Sequence, residues 1–312
     1  MQNGKVTFSE TQDAVFGKLI KITNGIVELM VTVDVGPRII HFSRVGMENV
    51  LYQDKEKKPL GEPQAVYGGD IIKLYGGHRV WISPELMPSC YYPDNHPVTY
   101  KETADGNGMI FTAPVEKNNN IQKSIIVALE PDSPAVTVKN IIKNAGPFDI
   151  EIAPWAITML AAGGVEIMPQ PDRKTGYLQN KTYSFWDYAD MNDPRLYLGK
   201  EYVTLRQDAA MANAFKLGYN NEHGWAAYFN KGQVFLKFIE PEVDGYYPDN
   251  GCCFETYTCD VMLEMETLGQ VSLISPQSSV EHIEEWELYE DNSTPSTNDE
   301  AEIKTLMAKY IK

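Results

Sequence analysis

The sequence predicts an all-β fold with a short C-terminal α-helix, and three observations support this prediction. Short runs of β-branched and aromatic residues recur along the chain. Turn-forming residues separate these runs at short intervals, and helical periodicity is almost absent before the last fifteen residues. Many short strands with this spacing are typical of a large antiparallel β-sandwich or barrel.

The first predicted strands surround a tight turn at Asn24-Gly25. Residues 18–23 and 26–35 flank this dipeptide, which tolerates the positive φ of a hairpin turn, and residues 37–45 continue as a third strand. The stretch Pro131-Asp132-Ser133-Pro134 is a turn by composition. The other predicted strands are residues 124–129, 135–142, 148–153, 224–230, 233–239, 253–259, 261–268, 271–275 and 280–288.

The C-terminal segment differs from the rest of the chain. Thr297-x-x-Glu300 has the pattern of a capping box. Four apolar residues with i, i+3, i+4 spacing then predict a short amphipathic helix: Ile303, Leu306, Met307 and Ile311. No change of composition divides the chain before this segment. We therefore predict one β domain over residues 1–290, followed by a polar linker and helix over residues 291–312.

The charge of the chain excludes two classes of partner. Its 312 residues include 27 Lys and Arg against 43 Asp and Glu, a formal net charge of −16. Nucleic acids and anionic membranes would be repelled by this charge. No run of about 18 apolar residues is present, as a membrane span requires. Residues 1–10 lack the pattern of a secretory signal and the cysteines form no C-x-x-C pair, so we expect a cytoplasmic protein with reduced thiols.

Residues 75–85 form the densest polar and aromatic segment. Gly76-Gly77 permits a sharp turn or a close approach of the backbone to a ligand. Four side chains with binding potential follow: His78, Arg79, Trp81 and Glu85. On a strand, Arg79 and Trp81 would share one face, and His78 would lie on the other. Such residues suit a sugar site, since hydroxyls need directional hydrogen bonds and sugar C–H faces pack on aromatic rings. The alternative is a core Trp beside a structural Arg–Glu pair.

The pentapeptide Tyr-Tyr-Pro-Asp-Asn occurs twice, at residues 91–95 and 246–250. One interpretation is that both loops line the same binding site. The other is that these are two similar Pro-Asp turns, since such residues favour turns wherever they occur. The candidate binding residues of the two loops are Tyr92, Asp94, Asn95, Tyr247 and Asp249.

Glu255 lies within an apolar, strand-forming stretch after a Gly-rich turn. Strand alternation places it on the same face as Cys253 and Tyr257. Burial of a carboxylate is costly unless it is paired, and it raises the pKa toward values useful for a general base. The alternative is an exposed Glu on a half-buried strand.

Metal and nucleotide chemistry have little support in the sequence. The five histidines are scattered without an H-x-x-x-H pair, and neither G-x-S-x-G nor a phosphate-binding loop is present. We therefore expect neither a metal site nor a cofactor.

The order of these features resembles the galactose mutarotase-like (aldose 1-epimerase-like) superfamily, in a branch with a G-G-H-R-x-W-x-x-P-E segment. Four stretches carry the resemblance: Gly36-Pro37-Arg38-Ile39, residues 75–85, Cys252-Cys253-Phe254-Glu255-Thr256, and residues 271–286. The resemblance covers most of residues 15–290. It implies a large antiparallel β supersandwich that binds sugars.

The resemblance also implies a chemistry. In a mutarotase, a Glu removes the proton of the anomeric hydroxyl while a His protonates the ring oxygen, and no cofactor is needed. Glu255 matches the position of the base. Trp155 lies where the acid His is expected, and a Trp has no titratable proton to donate. Either His78 or His96 takes that role, or the site binds a sugar without epimerising it.

We therefore predict a protein that binds a small carbohydrate and has aldose 1-epimerase-type activity on a neutral sugar. Arg38 and Arg79 would bind hydroxyls or a carboxylate, and Trp81 and Trp155 would stack on the sugar ring. A neutral sugar is expected because the net charge opposes an anionic one. Two alternatives remain: a non-catalytic sugar-binding or sensing protein that lacks the acid histidine, or clusters that are ordinary core and turn features.

Overall fold

The computed structural model describes residues 5–311, and its regular structure is almost entirely antiparallel β-strand. Residues 1–4 and 312 lie outside the described residues. Residues 1–4 begin the N-terminal segment that lacks the pattern of a secretory signal. Residue 312 is the last residue of the predicted linker and helix.

The strands are numbered along the chain. The first ten are β1 (Thr7–Asp13), β2 (Gly17–Thr23), β3 (Val27–Thr32), β4 (Ile39–Arg44), β5 (His78–Ser83), β6 (Thr99–Glu102), β7 (Gly108–Thr112), β8 (Ile121–Leu129), β9 (Ala135–Asn144) and β10 (Ile150–Ala161). The next six are β11 (Val165–Pro169), β12 (Tyr183–Phe185), β13 (Leu196–Leu198), β14 (Tyr202–Arg206), β15 (Phe215–Tyr219) and β16 (Trp225–Asn230). The last five are β17 (Gln233–Phe238), β18 (Phe254–Thr258), β19 (Met262–Leu268), β20 (Ser272–Ile274) and β21 (Ser279–Glu290). The helices are α1 (Pro248–Gly251), a single turn, and α2 (Glu300–Met307).

The strands form two large sheets. Sheet 1 has eleven strands in the order β1-β2-β3-β4-β5-β10-β19-β18-β15-β12, with β20 also paired to β10. Sheet 2 has ten strands in the order β13-β14-β11-β16-β17-β21-β9-β8-β7-β6. The two sheets pack face to face as a β-sandwich, so the predicted all-β architecture is confirmed.

Every strand predicted from the sequence is present. The ends differ by up to about three residues, except that the strand predicted over 148–153 is β10, which continues to residue 161. Asn24-Gly25 forms the turn between β2 and β3, and residues 131–134 form the turn between β8 and β9. Several strands had no sequence prediction, namely β1, β6, β7 and β11 to β15. β12 and β13 have three residues each, which is too short to establish a period-2 pattern.

The apolar faces of the two sheets meet in a continuous core. Phe42 of sheet 1 packs against Phe235 and Trp286 of sheet 2, with ring centroids 5.9 Å and 5.7 Å apart. All three side chains are fully buried. Strands β5, β10, β18 and β19 lie in the middle of sheet 1, where neighbours on both sides fix their positions.

Helix α2 confirms the predicted C-terminal helix and packs on the outer face of sheet 2. Its buried residues Ile303, Leu306 and Met307 cover an apolar patch on β11, β16 and β17. The predicted capping box is wrong, because the N-cap is Asp299, whose carboxylate accepts hydrogen bonds from two amides of the first turn. Glu300 instead accepts from the backbone amides of residues 201 and 202, which ties the helix to the edge of sheet 2.

Candidate functional site

The Gly76-Gly77 pair is required by the packing of β5 against neighbouring backbone. Both glycines have positive φ, of 89° and 72°. A Cβ at Gly77 would lie 2.2 Å from the carbonyl oxygen of Ile39, and a Cβ at Gly76 would lie 2.4 Å from that of Tyr52. The close approach expected at these glycines is therefore made to the chain's own backbone.

Strand β5 divides the first sequence cluster between the two faces of sheet 1. Arg79 and Trp81 lie on the outer face, opposite Ile157 and Trp155 of β10 in the strand register. His78 lies on the inner face, which is turned toward sheet 2. The alternation predicted for this segment is therefore present.

A cleft of about 330 Å³ lies on the outer face of sheet 1, and we call it the outer-face cleft. It lies over β5, β10, β15, β18 and β19. Its aromatic lining residues are Trp81, Tyr91, Trp155, Trp186, Tyr188 and Tyr257. Its ionisable lining residues besides the tyrosines are Arg79, Glu85, Lys216 and Glu264. Four predicted site residues thus border one cavity: Arg79, Trp81, Glu85 and Trp155.

Arg79 has an unusual environment for a cationic side chain. It is only 3% exposed, and its guanidinium lies 4.0 Å from the ring centroid of Trp81. Within residues 5–311 its side chain has no hydrogen bond or ion pair, and both Nε and Nη1 are buried without a partner. Burial and the nearby charge of Arg38 lower the pKa of Arg79 to about 9, so it stays protonated at neutral pH.

Lys216 forms a buried charge cluster at the floor of the cleft. Its Nζ lies 2.8 Å from Oε2 of Glu255 and 2.8 Å from Oε2 of Glu266. The indole N–H of Trp155 donates to the same Glu266 oxygen at 2.6 Å. Nζ also lies 4.5 Å from the ring centroid of Trp155 and 4.6 Å from that of Trp186. Lys216 lines the cleft, whereas the two carboxylates lie beneath it and do not.

The groups of this cluster shift one another's pKa values. Burial opposes the charge of Lys216, but Glu266 and Glu255 together raise its pKa well above the ordinary value, so the amine stays protonated. Burial raises the pKa of Glu255 well above its usual range, against the attraction of Lys216. Glu255 is therefore a buried carboxyl, as one interpretation of the sequence proposed, but it contacts the cleft only through Lys216.

Glu264 is a cleft residue that the sequence did not single out. It lies on β19 opposite Tyr257 of β18. Its side chain forms no hydrogen bond or ion pair within the described part of the chain. Burial and the charge of Glu266 raise the pKa of Glu264 to about 8, against Lys216 and Arg79. A carboxyl that titrates near neutral pH can exchange protons with a ligand.

His78 lies away from the cleft, in the interior between the sheets. Its Nδ1 is 2.8 Å from the hydroxyl of Thr158, and its Nε2 is 3.1 Å from Oδ1 of Asn140. Nε2 is also 3.5 Å from Glu284, which forms a 2.7 Å ion pair with Lys237. Burial lowers the pKa of His78 to about 4. Because its side chain faces sheet 2, His78 does not line the outer-face cleft, and the structure separates it from Arg79 and Trp81.

Arg38 and Asp94 form a second buried ion pair. Nη2 of Arg38 donates to both carboxylate oxygens of Asp94 at 2.7 Å and 2.8 Å, and the guanidinium lies 5.0 Å from the ring centroid of Tyr75. The hydroxyl of Tyr75 donates to Asn95 at 2.9 Å. Arg38 is fully buried and does not line the cleft. These contacts anchor the loop of residues 91–95, and none of Arg38, Asp94 and Asn95 lines the outer-face cleft.

His96 is exposed and borders a much smaller cavity on the other side of Arg79. This cavity, of about 30 Å³, is also lined by Tyr92 and Asp94. It has room for a water molecule but not for a sugar. His96 therefore lies close to Arg79 without lining the outer-face cleft, and its role as an acid stays a prediction.

The second Tyr-Tyr-Pro-Asp-Asn loop, residues 246–250, lies elsewhere. Tyr247 borders two other cavities, of about 530 and 200 Å³, and its hydroxyl accepts a hydrogen bond from the amide of Glu242. Asp249 and Asn250 have φ of 51° and 65°, whereas no residue of the first loop has positive φ. The same five residues thus adopt different backbones and border different cavities, and Tyr247 and Asp249 do not join the cleft.

The fold has matches among solved structures. A TPR-domain containing protein from Parabacteroides distasonis superposes with a TM-score of 0.61 at 12% identity, over 95% of this chain and 55% of that one. A putative mutarotase from Salmonella typhimurium gives a TM-score of 0.55 at 11% identity, over 91% and 97% of the two chains. A galactose mutarotase-like protein from Clostridium acetobutylicum gives 0.55 at 10% identity, over 92% and 100%.

The chain has the galactose mutarotase-like fold. The predicted resemblance is confirmed at this level, and identities of 10–12% show the fold alone. The chain spans about half the length of the Parabacteroides protein, so that protein contains a further portion without a counterpart here. No protein-family model and no curated protein sequence matches the chain.

Within this galactose mutarotase-like fold, sequence reasoning missed three groups of the cleft: Lys216, Glu264 and the aromatic pair Trp186 and Tyr188. A signal for Glu264 and Glu266 was present, since the two residues alternate with apolar ones on a predicted strand. An acidic residue at every second position of a central strand indicates a polar outer face. The sequence contains no comparable signal for Lys216, because this residue lies on a strand that was not predicted.

Two kinds of site are not found in the part of the chain that the structure describes. No group of three or more His, Cys, Asp or Glu residues there is arranged to hold a metal ion. No helix there has the length and apolar character needed to cross a bilayer. The four cysteines are free thiols.

Proposed function

We propose that the protein binds an aldose in the outer-face cleft and interconverts its anomers. The cleft's aromatic lining carries this proposal, together with the cation Lys216 and the carboxyl Glu264, whose pKa is raised. Trp81, Trp155 and Trp186 line the cleft, and aromatic rings are the side chains on which the C–H surface of a sugar packs. The volume of about 330 Å³ is within the range of small-molecule sites. The galactose mutarotase-like fold is consistent with a sugar function but assigns no role to any residue, because function depends on the site.

The groups that border the cleft suggest how protons would move. Mutarotation needs one group to take the proton of the anomeric hydroxyl and another to protonate the ring oxygen, which opens the ring. Glu264 in its ionised form is the proposed acceptor, and the ammonium of Lys216 is the proposed donor. Glu264 returns the proton to the carbonyl oxygen of the open sugar, and the new ring hydroxyl returns its proton to Lys216. Atoms and charges then balance after ring closure on either face.

Glu255, the base implied by the sequence resemblance, has a different role in this proposal. It lies beneath Lys216 and contacts it at 2.8 Å, so it holds the ammonium in place and keeps it charged. Glu255 is thus a positioning residue. Glu266 shares this role and also fixes the orientation of Trp155.

A second candidate function is sugar binding without catalysis, as in a sensor or carrier. One observation favours it: no histidine of the described residues lines the cleft. The sequence resemblance agrees with this, since it implies Trp155 at the position of the acid histidine. In that case the charge cluster serves only to bind hydroxyls.

Anomer interconversion distinguishes the two functions. We would dissolve pure α-anomers of glucose, galactose, glucuronate and galactose 6-phosphate and follow exchange by NMR and polarimetry, with and without the protein. The proposal expects acceleration above buffer for at least one sugar, lost in Glu264→Gln. Binding of a sugar with no acceleration for any of them would establish the second function instead. The net charge of −16 favours a neutral aldose at long range, but salt screens this field within about 10 Å. The groups inside the cleft therefore decide the preference for charge.

A further inference from the structure

Among the buried lysine and arginine side chains of residues 5–311, Arg79 is the one without a carboxylate partner. Residues 5–311 contain five buried Lys or Arg side chains, listed as Arg38, Arg79, Arg195, Lys216 and Lys237. Four of them have a carboxylate oxygen within 2.7–2.8 Å. Arg79 has no such partner, and its Nε and Nη1 are buried and unpaired. An unpaired buried charge strongly destabilises a protein, so this side chain costs the fold stability.

The carboxyl groups nearest to Arg79 do not neutralise it. Glu264 borders the same cleft, but burial and Glu266 raise its pKa to about 8, so it is mostly uncharged at pH 7. Glu85 is exposed at the rim and accepts a hydrogen bond from the hydroxyl of Tyr91. Asp94 is held by Arg38 through both of its oxygens. The positive charge of Arg79 is therefore left for a ligand.

Contact with Trp81 limits the orientation of the Arg79 guanidinium. The guanidinium of Arg79 lies 4.0 Å from the ring centroid of Trp81, which restricts where its N–H groups can point. Of the two cavities that Arg79 lines, only the outer-face cleft has room for a sugar. A planar guanidinium fits a carboxylate or a phosphate with two parallel hydrogen bonds, which a neutral hydroxyl cannot provide.

We propose that the outer-face cleft binds a sugar with an anionic substituent, a carboxylate or a phosphate, and that Arg79 is the residue that binds this anion. This inference rests on the proposed carbohydrate function and names its substrate class. It replaces the neutral sugar expected from the net charge, because a local unpaired cation acts at contact distance. The indole of Trp81 then serves both as the support of the guanidinium and as a wall of the sugar site.

The test compares sugars that share the galactose ring and differ in the group at C6, with inorganic phosphate as a probe of the anion alone. Dissociation constants for galactose, galacturonate, galactose 6-phosphate and inorganic phosphate would be measured by calorimetry at low salt, with the wild type, R79Q, R79K and R206Q. We expect at least one anionic sugar to bind about 10- to 100-fold more tightly than galactose. This preference should vanish in R79Q and be partly retained in R79K, which keeps the charge without the planar fork. The tighter of the two anionic sugars identifies the substituent.

The control variant R206Q removes an arginine outside the cleft, which pairs with Asp208 at the surface, and should bind as the wild type does. Thermal unfolding gives a second readout. R79Q should unfold at the same temperature or higher without ligand, because it removes an unpaired buried charge, and should lose the stabilisation that the anionic sugar gives the wild type. A marked loss of stability in R79Q would show that Arg79 is a structural residue and would overturn the inference.

The remaining outcomes separate this inference from the proposed function. If galactose binds and neither anionic sugar binds more tightly, or if R79Q keeps the preference, the inference fails and the carbohydrate function stands. If inorganic phosphate binds in an Arg79-dependent manner and no sugar binds, the anion site stands and the carbohydrate function fails. If none of the four probes binds, both fail.

Discussion

The ammonium of Lys216 lies 2.8 Å from Oε2 of Glu255, and this contact separates Glu255 from the outer-face cleft. The assignment of Glu255 as base can therefore be tested against Glu264. We expect Glu264→Gln to lower the rate of anomer exchange by about 10²–10⁴-fold, the usual effect of removing a general base. Glu255→Gln should lower it by less than about 10-fold, since the charge of Glu266 still holds Lys216. NMR exchange rates check both, and the opposite ranking would restore Glu255 as the base.

The pH dependence of catalysis follows from the pKa of Glu264, which is raised to about 8. As the proton acceptor it must be ionised, so kcat should rise with pH and level off above about 8. The charged groups that act on it are Glu266, Lys216, Arg79 and Glu85. Before each turnover Lys216 is protonated over this whole pH range, because its pKa is raised well above the ordinary value. A rate that falls above pH 8 would instead assign Glu264 as the acid.

Trp186 should contribute to sugar affinity. It borders the cleft and its ring centroid lies 4.6 Å from Nζ of Lys216. Trp186→Leu removes a flat aromatic face and should raise the dissociation constant of a bound sugar by roughly 10-fold. Phe148→Leu changes an exposed aromatic outside the cleft and should leave the constant unchanged. Equal affinities for the Trp186 variant and the wild type would exclude a stacking role.

The contribution of two buried histidines to stability should fall on the acid side of pH 6.5. Burial lowers the pKa of both His78 and His282 to about 4, so the folded state keeps them neutral. Unfolded histidines take up protons below about pH 6.5, and the stability from the neutral folded form is lost between there and about pH 4. The groups that face them are Asn140, Thr158, Lys237, Thr267 and Glu284, and Glu284 stays ionised because its pKa is lowered to about 2.

Urea unfolding at several pH values measures this effect. The loss is of the order of 3 kcal/mol per histidine at most. His282→Gln should remove about half of the pH-dependent loss. If wild type and His282→Gln lost the same free energy of unfolding between pH 6.5 and 4.5, the prediction would be contradicted.

Glu166 should destabilise the fold as pH rises. It is fully buried, and its Oε2 accepts a hydrogen bond from Thr256 at 2.6 Å while Oε1 has no partner. Burial raises its pKa to about 8. Because the folded state holds this proton more tightly than the unfolded state, stability declines from about pH 4.5 upward until pH 8. Glu166→Gln should raise the free energy of unfolding at pH 8 by up to roughly 4 kcal/mol.

The matched control for Glu166→Gln is Glu151→Gln, which changes an exposed carboxylate. It should shift the free energy of unfolding by less than about 0.5 kcal/mol at any pH. A Glu166 variant whose advantage over the wild type does not grow between pH 5 and pH 8 would show that this carboxyl is not protonated in the folded state.

The sequence by itself determined the β-strands with clear alternation, the C-terminal helix and the face on which Arg79 and Trp81 lie. These features depend on patterns of two to four residues, which are local and visible in the chain. The resemblance supplied the fold family, and it identified the strand that carries Glu255. It did not determine whether that carboxylate reaches a ligand.

Only the tertiary structure decided which polar groups meet. Lys216 lies 50 residues before Glu266 in the chain, and the two side chains touch because β15 and β19 both pair with β18. The same strand pairing places Lys216 over Glu255. His78 lies between the sheets because its side chain is on the inward face of β5. Strand register and sheet order are long-range properties, set by the burial of whole apolar faces. They decided that Arg79 remains without a partner while every other buried Lys or Arg of the described residues has one.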